Sequence, residues 1–357
     1  MELKTICEKF GIGYTAHDVF TAGHINDTNV VSDSDGNKYV VQKINKEVFK
    51  KPEELMENII GVTLFLAEKL KTPRFQGKSK YLRFLSADDG NYFVIDEKGD
   101  YWRCYAFVDN SFSMMRPEKE GDFYESAYAF GVFQQLLCDY PSDKLFETIP
   151  DFHNTPKRLQ ALKDAFEKDS VGRAEGVKEE YLFYTSRESD ASVLTDALER
   201  GELGLKVTHN DTKISNVLFD NDTRRGICVI DLDTIMPGLL VNDFGDSIRY
   251  GASTGDEDEK DLSKVSISPA LFEEYTKGFI DGTEGSLTEN EKKYLLWGAK
   301  TMTLECGMRF LTDYLSGDTY FKTDYPEHNL VRSRTHIKLV SDMENKWEEL
   351  ENIVKKY

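Results

Sequence analysis

Residues 209–234 read HNDTKISNVLFDNDTRRGICVIDLDT, and three side chains in this run have the types and spacing to act together. Residues 217–219 and 227–230 read as two short strands, joined by a polar loop with Gly226 near its end. In an antiparallel hairpin the start of the first strand faces the end of the second, so Asn216 falls beside Asp231. The loop before the first strand carries Asp211 to the same end. Two carboxylates and an amide oxygen then share one sheet edge. Magnesium takes hard oxygen ligands and keeps several waters, so one carboxylate and one Asn oxygen suit it. A separate carboxylate can orient or accept the proton of an attacking hydroxyl. These are the parts of phosphoryl transfer, which otherwise rests on positioning and charge neutralisation. Each residue alone also fits a surface turn, which Asn and Asp favour; the ordered combination separates the two readings.

The elements that must position this segment fall into two groups. The first hundred residues are strand-rich. Residues 30–45 hold two β-type runs around Asp35-Gly36, and residues 81–96 repeat the device around Asp89-Gly90. Residues 101–108 are a further apolar strand. One helix interrupts them: Pro52-Glu53-Glu54 supplies its start, and Leu55, Ile59, Val62 and Leu66 form its apolar stripe. After Asn110 the pattern turns helical, with Leu159, Leu162 and Phe166, then residues 289–314, then Met343, Trp347, Leu350 and Val354. The expected fold is α+β and bilobal: a small antiparallel-sheet lobe over residues 1–109, and a larger, mainly helical lobe over residues 110–357. Ligands favour the cleft between such units.

Composition narrows the class. The chain has 357 residues and is 39% hydrophobic, enough for two lobes with a sizeable core. No apolar run reaches the length of a membrane span, and the first residues lack the apolar region of a signal peptide. Five scattered cysteines without CxxC spacing argue against a zinc site or disulfide framework and fit a reducing cytoplasm. The net charge of −19 argues against binding nucleic acid or an anionic membrane. It is compatible with a cationic acceptor, though it reads more simply as solubility charge. Part of it lies in GDEDEKD, residues 255–261, an expected exposed loop. Competing motifs fail on context. Residues 11–16 fit a dinucleotide fingerprint but follow a helix-like segment, and residues 251–255 fit G-x-S-x-G but precede an acidic loop. Gly77-Lys78-Ser79 ends like a phosphate-binding loop, yet Thr72 stands at its first Gly position.

The run H-N-D-T-K-I-S-N followed by V-I-D-L-D resembles the catalytic loop and metal strand of the aminoglycoside phosphotransferase and choline kinase superfamily, whose fold is bilobal and protein-kinase-like. The resemblance implies ATP as co-substrate and Mg2+ as cofactor. It implies that Asp211 orients or deprotonates the acceptor hydroxyl, that Asn216 and Asp231 bind the metal, and that Asp233 reaches a second metal or the acceptor. Residues 230–254, residues 305–321, GHINDTN at 23–29 and VVQKIN at 40–45 are similar to the N-acetylhexosamine 1-kinases. Those enzymes phosphorylate the anomeric hydroxyl of N-acetylglucosamine or N-acetylgalactosamine. By that resemblance Arg309 and Tyr320 contact the sugar, and Tyr250 offers it an aromatic face. His24 and Thr28 lie where the family's nucleotide-covering loop falls, able to touch phosphate or sugar. Lys43 lies where the fold places its phosphate-binding lysine, with Gln42 as the rival inward residue and Glu57 as the expected helix partner ahead of Glu53 and Glu54. Residues 107–109 (Phe107, Val108, Asp109) fall at the hinge that binds adenine through backbone groups. Asp243 and Asp246 are expected to serve Arg249 and nearby amides, His209 to brace the loop, and His153 to be structural. The alternatives are a kinase for another acceptor, such as an aminoglycoside or choline, and a nucleotide-binding protein without catalysis. The expected partners are therefore ATP and a small sugar. Epimer preference, metal stoichiometry and oligomeric state stay open.

Overall fold

The computed structural model describes residues 1–20 and 26–357. Helix α1 (Leu3–Lys9) precedes strands β1 (Tyr14–Phe20), β2 (Asp27–Asp33) and β3 (Lys38–Lys43). Helix α2 (Pro52–Lys69) follows, then β4 (Val94–Ile95) and β5 (Tyr101–Ala106). The five strands form one antiparallel sheet in the order β1-β2-β3-β5-β4. One face of the sheet packs Val31, Val41 and Cys104 against Ile6, Cys7 and Phe10 of α1 and the turn after it. The turn at Asp35-Gly36 forms as expected, with Gly36 at φ +83°. The one at Asp89-Gly90 closes, but its flanks do not pair with each other beyond Ala87 and Asn91. They are drawn to β5 instead, through a Phe84–Tyr105 bridge and the short strand β4. The two-stranded unit expected at residues 81–96 is thereby corrected.

Strand β6 (Ser111–Phe112) leaves this sheet and joins another, in the order β6-β8-β9. Helices α3 (Asp122–Leu137), α4 (Thr155–Lys168), α5 (Lys178–Thr185) and α6 (Glu188–Glu199) come next. Then follow β7 (Lys206–Thr208), β8 (Val217–Asp220), β9 (Gly226–Val229) and β10 (Met236–Gly238), with β7 paired to β10. The chain ends in α7 (Leu240–Gly251), α8 (Pro269–Thr283), α9 (Glu289–Ser316), α10 (His328–Asn345) and α11 (Trp347–Lys356). The stripe running through Met343, Trp347 and Val354 is thus split between two helices at Lys346. An antiparallel sheet region followed by a helical region is the α+β architecture the sequence predicts. No helix among the described residues is long and apolar enough to cross a membrane.

The central helix α9 begins with a capping box of Thr288 and Glu291 and stops at Gly317, φ +95°. It lies against α7 at two glycines. A Cβ on Gly298 would sit 2.0 Å from the Val241 carbonyl oxygen, and one on Gly245 would sit 2.2 Å from the Gly298 carbonyl oxygen. Both obstacles are backbone atoms that no rotamer can clear. Since α7 carries supports for the site described below, Gly298→Ala is expected to lower unfolding free energy by about 2 kcal/mol or more. Urea denaturation checks this; an unchanged midpoint contradicts the close packing.

Candidate active site

Strand β7 delivers His209 into a loop whose every turn is held from α7. The His209 and Asn210 amides donate to the Asp243 carboxylate at 2.9 and 2.8 Å, and the Thr212 amide donates to Asp246 at 2.9 Å. Ser247 returns a hydrogen bond to the Thr212 carbonyl at 2.6 Å. Asp243 lies in the first turn of α7, where the helix dipole favours a carboxylate, and Gln134 of α3 donates to it at 2.9 Å. Asp246 also holds the Arg249 guanidinium at 2.6 Å. Asn210 takes a left-handed conformation, φ +65°, which Asn tolerates better than most residues. Its side chain is satisfied by Thr208 and by the Thr234 carbonyl. His209 is fully buried, ties its Nε2 to the Ile230 carbonyl at 2.8 Å, and meets the Phe130 ring edge-on. These residues support the loop and leave Asp211 at its tip.

The hairpin of β8 and β9 pairs Val217 with Val229, which puts Asn216 beside Ile230 and Asp231. The Ile230 amide donates to the Asn216 carbonyl at 2.9 Å. Asn216 Nδ2 donates to the Asp211 carboxylate at 3.0 Å and to the Asp211 carbonyl at 2.8 Å. That orientation leaves Asn216 Oδ1 without a partner among the described residues. Asp231 turns out of the strand at φ +60°, and its carboxylate accepts no hydrogen bond among the described residues. Its oxygens reach solvent in the cleft. Even so, the protein ringed around it, with Asp233 and Asp211 close by, pushes the carboxyl up to about 6. The other Asp211 oxygen pairs with Lys213 at 3.0 Å. The Asn216 amide oxygen and the Asp231 carboxylate, unpartnered among the described residues and set beside a positioned carboxylate, fit a magnesium ion, and a bound cation would relieve the charge crowding at Asp231.

Asp233 is engaged differently. One oxygen is bound by the Arg103 guanidinium, and the other accepts from Asn26 Nδ2 at 2.6 Å. Arg103 is buried and also donates Nε and Nη2 to Gln42 Oε1 at 3.0 and 2.8 Å, while Gln42 Nε2 donates to the Thr28 hydroxyl at 3.0 Å. Thr28, Gln42 and Arg103 are neighbours in register across three strands. They therefore form one row on the sheet face turned to the β8–β9 hairpin. Asp233 is a tether between that row and the D-x-D turn rather than a free metal ligand in this structure.

The same row fixes the phase of β3 against Lys43. Strand neighbours alternate in face, so Lys43 shares the side of Val41, which packs on α1. Lys43 pairs with Asp27 at 2.6 Å and not with Glu57, which is exposed on α2. Glu53 takes the Tyr101 hydroxyl, and Glu54 takes Lys51. The expected Lys43–Glu57 pair is therefore corrected: the inward cation is Arg103, from the neighbouring strand. Helix α2 is pinned instead by buried Asn58, which donates to the Phe146 and Ile235 carbonyls at 2.8 and 3.0 Å and accepts from the Phe146 amide at 2.8 Å. The one signal for Arg103 in the sequence is a charge inside the apolar run YWRCYAFV.

At the crossing between the two sheets, the Phe107 amide donates to the Lys38 carbonyl at 3.0 Å and Ser111 caps the Val108 carbonyl at 2.6 Å. The amides of Val108 and Asp109 have no protein acceptor among the described residues. In the helical region, Arg309 of α9 is framed by the rings of Phe152, Tyr320 and Phe321, its guanidinium carbon 5.4, 5.8 and 5.5 Å from their centres. The guanidinium makes no hydrogen bond among the described residues, so its donors are available. Tyr320 is 67% exposed. His153 bridges this corner to the loop: its ring contacts the Asn210 carbonyl at 3.3 Å and Glu305 at 2.8 Å. Burial alone would raise the Glu305 carboxyl, but His153 and Arg309 hold it below its ordinary value. Tyr250 is half-buried and faces a neighbouring cavity with Arg249 and Arg116. His24 lies outside the described residues.

Residues 114–274 match the model of the phosphotransferase enzyme family, a span that includes the whole loop and hairpin. The fold is similar to an aminoglycoside phosphotransferase from Alicyclobacillus acidocaldarius, at 11% identity over 100% of this chain and 97% of that one, TM-score 0.66. It is similar to an amicoumacin kinase solved with AMP-PNP and Ca2+, at 12% identity over 99% and 94% of the two chains, TM-score 0.61. It is also similar to a choline kinase from Cryptosporidium parvum, at 13% identity over 96% and 93%, TM-score 0.55. The matched span supports a small-molecule phosphotransferase, and the solved structures share its fold.

Proposed function

We propose that the protein is an ATP-dependent kinase that phosphorylates the anomeric hydroxyl of an N-acetylhexosamine, giving the sugar 1-phosphate. The observation that carries the kinase reading is the grouping of Asp211 with Asn216 and Asp231 at one end of the β8–β9 hairpin, where the Asn216 amide oxygen and the Asp231 carboxylate have no partner among the described residues. In this reading residues 1–109 form the nucleotide lobe, and residues 110–357 carry the catalytic loop and the acceptor corner. The unpaired amides at 108–109 receive adenine, and Arg103, set behind the D-x-D turn, contributes positive charge on the nucleotide side. Asn216 and Asp231 hold Mg2+, which neutralises phosphate charge when bound. Asp211, fixed by Asn216 and Lys213, orients the sugar hydroxyl in line with the γ-phosphate and takes up its proton.

The acceptor assignment rests on the motif resemblance at residues 230–254 and 305–321 and on the charge of the corner beside Asp211. Two guanidinium groups, Arg309 and Arg158, lie near one another there, and the nearby carboxylate of Glu305 is already satisfied by His153 and Thr155. Such a corner repels a polycationic aminoglycoside or choline, whereas fixed donors backed by rings suit a neutral, oxygen-rich sugar. An ADP-release screen with N-acetylhexosamines, hexoses, choline and aminoglycosides tests this. Turnover is expected with N-acetylglucosamine or N-acetylgalactosamine. A signal confined to the amino acceptors would overturn the substrate and leave the kinase.

A further inference from the structure

The acidic run at residues 255–261 is an exposed loop for the most part, but one of its side chains turns inward. Glu257 reaches Arg249 at 2.9 Å and enters the cavity lined by Arg249, Tyr250, Thr335 and His336. It approaches two side chains of different ligand chemistry, His336 on α10, which lines the cavity, and buried Cys306 on α9. One donor atom from each of the three lies within 4.8 Å of the other two. His336 points its Nδ1 at the Arg332 carbonyl at 2.7 Å, so Nδ1 carries the proton and Nε2 presents a bare lone pair. No hydrogen bond to Nε2 occurs among the described residues. The His336 ring is buried, with only 4% of its surface exposed. Cys306 is a free thiol with no disulfide and no hydrogen bond among the described residues.

We propose that Glu257, Cys306 and His336 form a binding site for a soft divalent cation of zinc type. Thiolate, imidazole and carboxylate are a ligand set that zinc takes in tetrahedral geometry, and the cavity supplies room for water at the fourth position. Magnesium, which needs hard oxygens, is excluded by the sulfur and nitrogen donors. Bonds of about 2.0–2.3 Å place tetrahedral ligands roughly 3.5 Å apart, so the donors close by about an ångström. The loop carboxylate can give that much. On binding, the Cys306 thiol passes its proton to water as the sulfur–metal bond forms. Glu257 exchanges its contact with Arg249 for the metal, and Arg249 keeps its bond to Asp246. The site is separate from the oxygens of Asn216 and Asp231, and its occupation does not depend on the kinase reading.

Cobalt(II) titrated into the full-length protein in excess Mg2+ is the test, because a thiolate–cobalt bond gives a charge-transfer absorption that an all-oxygen site cannot. The expected result is a band saturating at one equivalent, displaced by zinc, lost in Cys306→Ser and weakened about tenfold or more in His336→Gln. In the wild-type chain the band should also fail to appear when one equivalent of zinc is added before cobalt, so the test does not hinge on a variant folding. No band, a band that survives Cys306→Ser, or a wild-type band unaffected by prior zinc would overturn the site.

Discussion

Replacing Asp211 with Asn is expected to lower kcat by roughly 10²–10⁴-fold while leaving ATP affinity within about threefold. The substitution keeps the size of the side chain and removes its charge and its ability to take a proton. The loop itself should persist, because its supports are Asp243, Asp246 and Ser247 rather than Asp211. The amide oxygen introduced by Asp211→Asn can still accept from Asn216, and only the Lys213 ion pair is lost outright. The loss therefore belongs in the chemical step and not in folding or nucleotide binding. Steady-state kinetics paired with calorimetric ATP titration separates these. Equal kcat in the purified variant would remove Asp211 from its role.

The second large effect is expected at Arg103. Arg103→Met leaves the Asp233 carboxylate buried with only Asn26 as partner, and breaking a buried ion pair from one side costs about 3–5 kcal/mol. Arg103→Lys keeps the charge but loses the planar fork that binds Gln42 and Asp233 together, and it is expected to cut kcat/KM for ATP by about tenfold or more. Lys43→Met should change it by less than about threefold, because the Lys43 ion pair lies on the opposite, half-exposed sheet face. Adding Asp233→Asn to Arg103→Met should recover part of the lost stability, since the unpaired charge is then gone. Urea melts and ATP kinetics on the four variants check the set. A larger defect in Lys43→Met than in Arg103→Lys would reverse the assignment of the inward cation.

The contrast between these residues marks what can be read from sequence. Asp211, Asn216 and Asp231 are legible because they sit on one loop and its adjoining hairpin, and a single register brings them together. Lys43 and Arg103 are not, because both faces of β3 and β5 are covered. Val41 and Cys104 pack on α1, while Gln42 and Arg103 turn to Asp233, so the run VVQK has no clean alternation to set its phase. The partner of Arg103 is also 130 residues away, beyond the reach of any local pattern. Glu57 fails for a related reason: the side chain of α2 that reaches the helical region is the buried amide of Asn58, which binds the Phe146 and Ile235 carbonyls, and charge alone points to the wrong neighbour. The turn at Asp89-Gly90 is legible as a turn, but a turn signal does not say which strand its flanks will join. His153 reads as structural, yet its tie to Glu305 depends on α9, 152 residues further on.

Phosphoryl transfer from ATP to a sugar hydroxyl is tested most directly by phosphorus-31 NMR of the reaction itself. With ATP, Mg2+ and N-acetylglucosamine or N-acetylgalactosamine, the predicted result is ADP together with an equal amount of a phosphomonoester coupled to the anomeric proton. Release of inorganic phosphate alone, or no change in the ATP resonances with any acceptor of the panel, would contradict it.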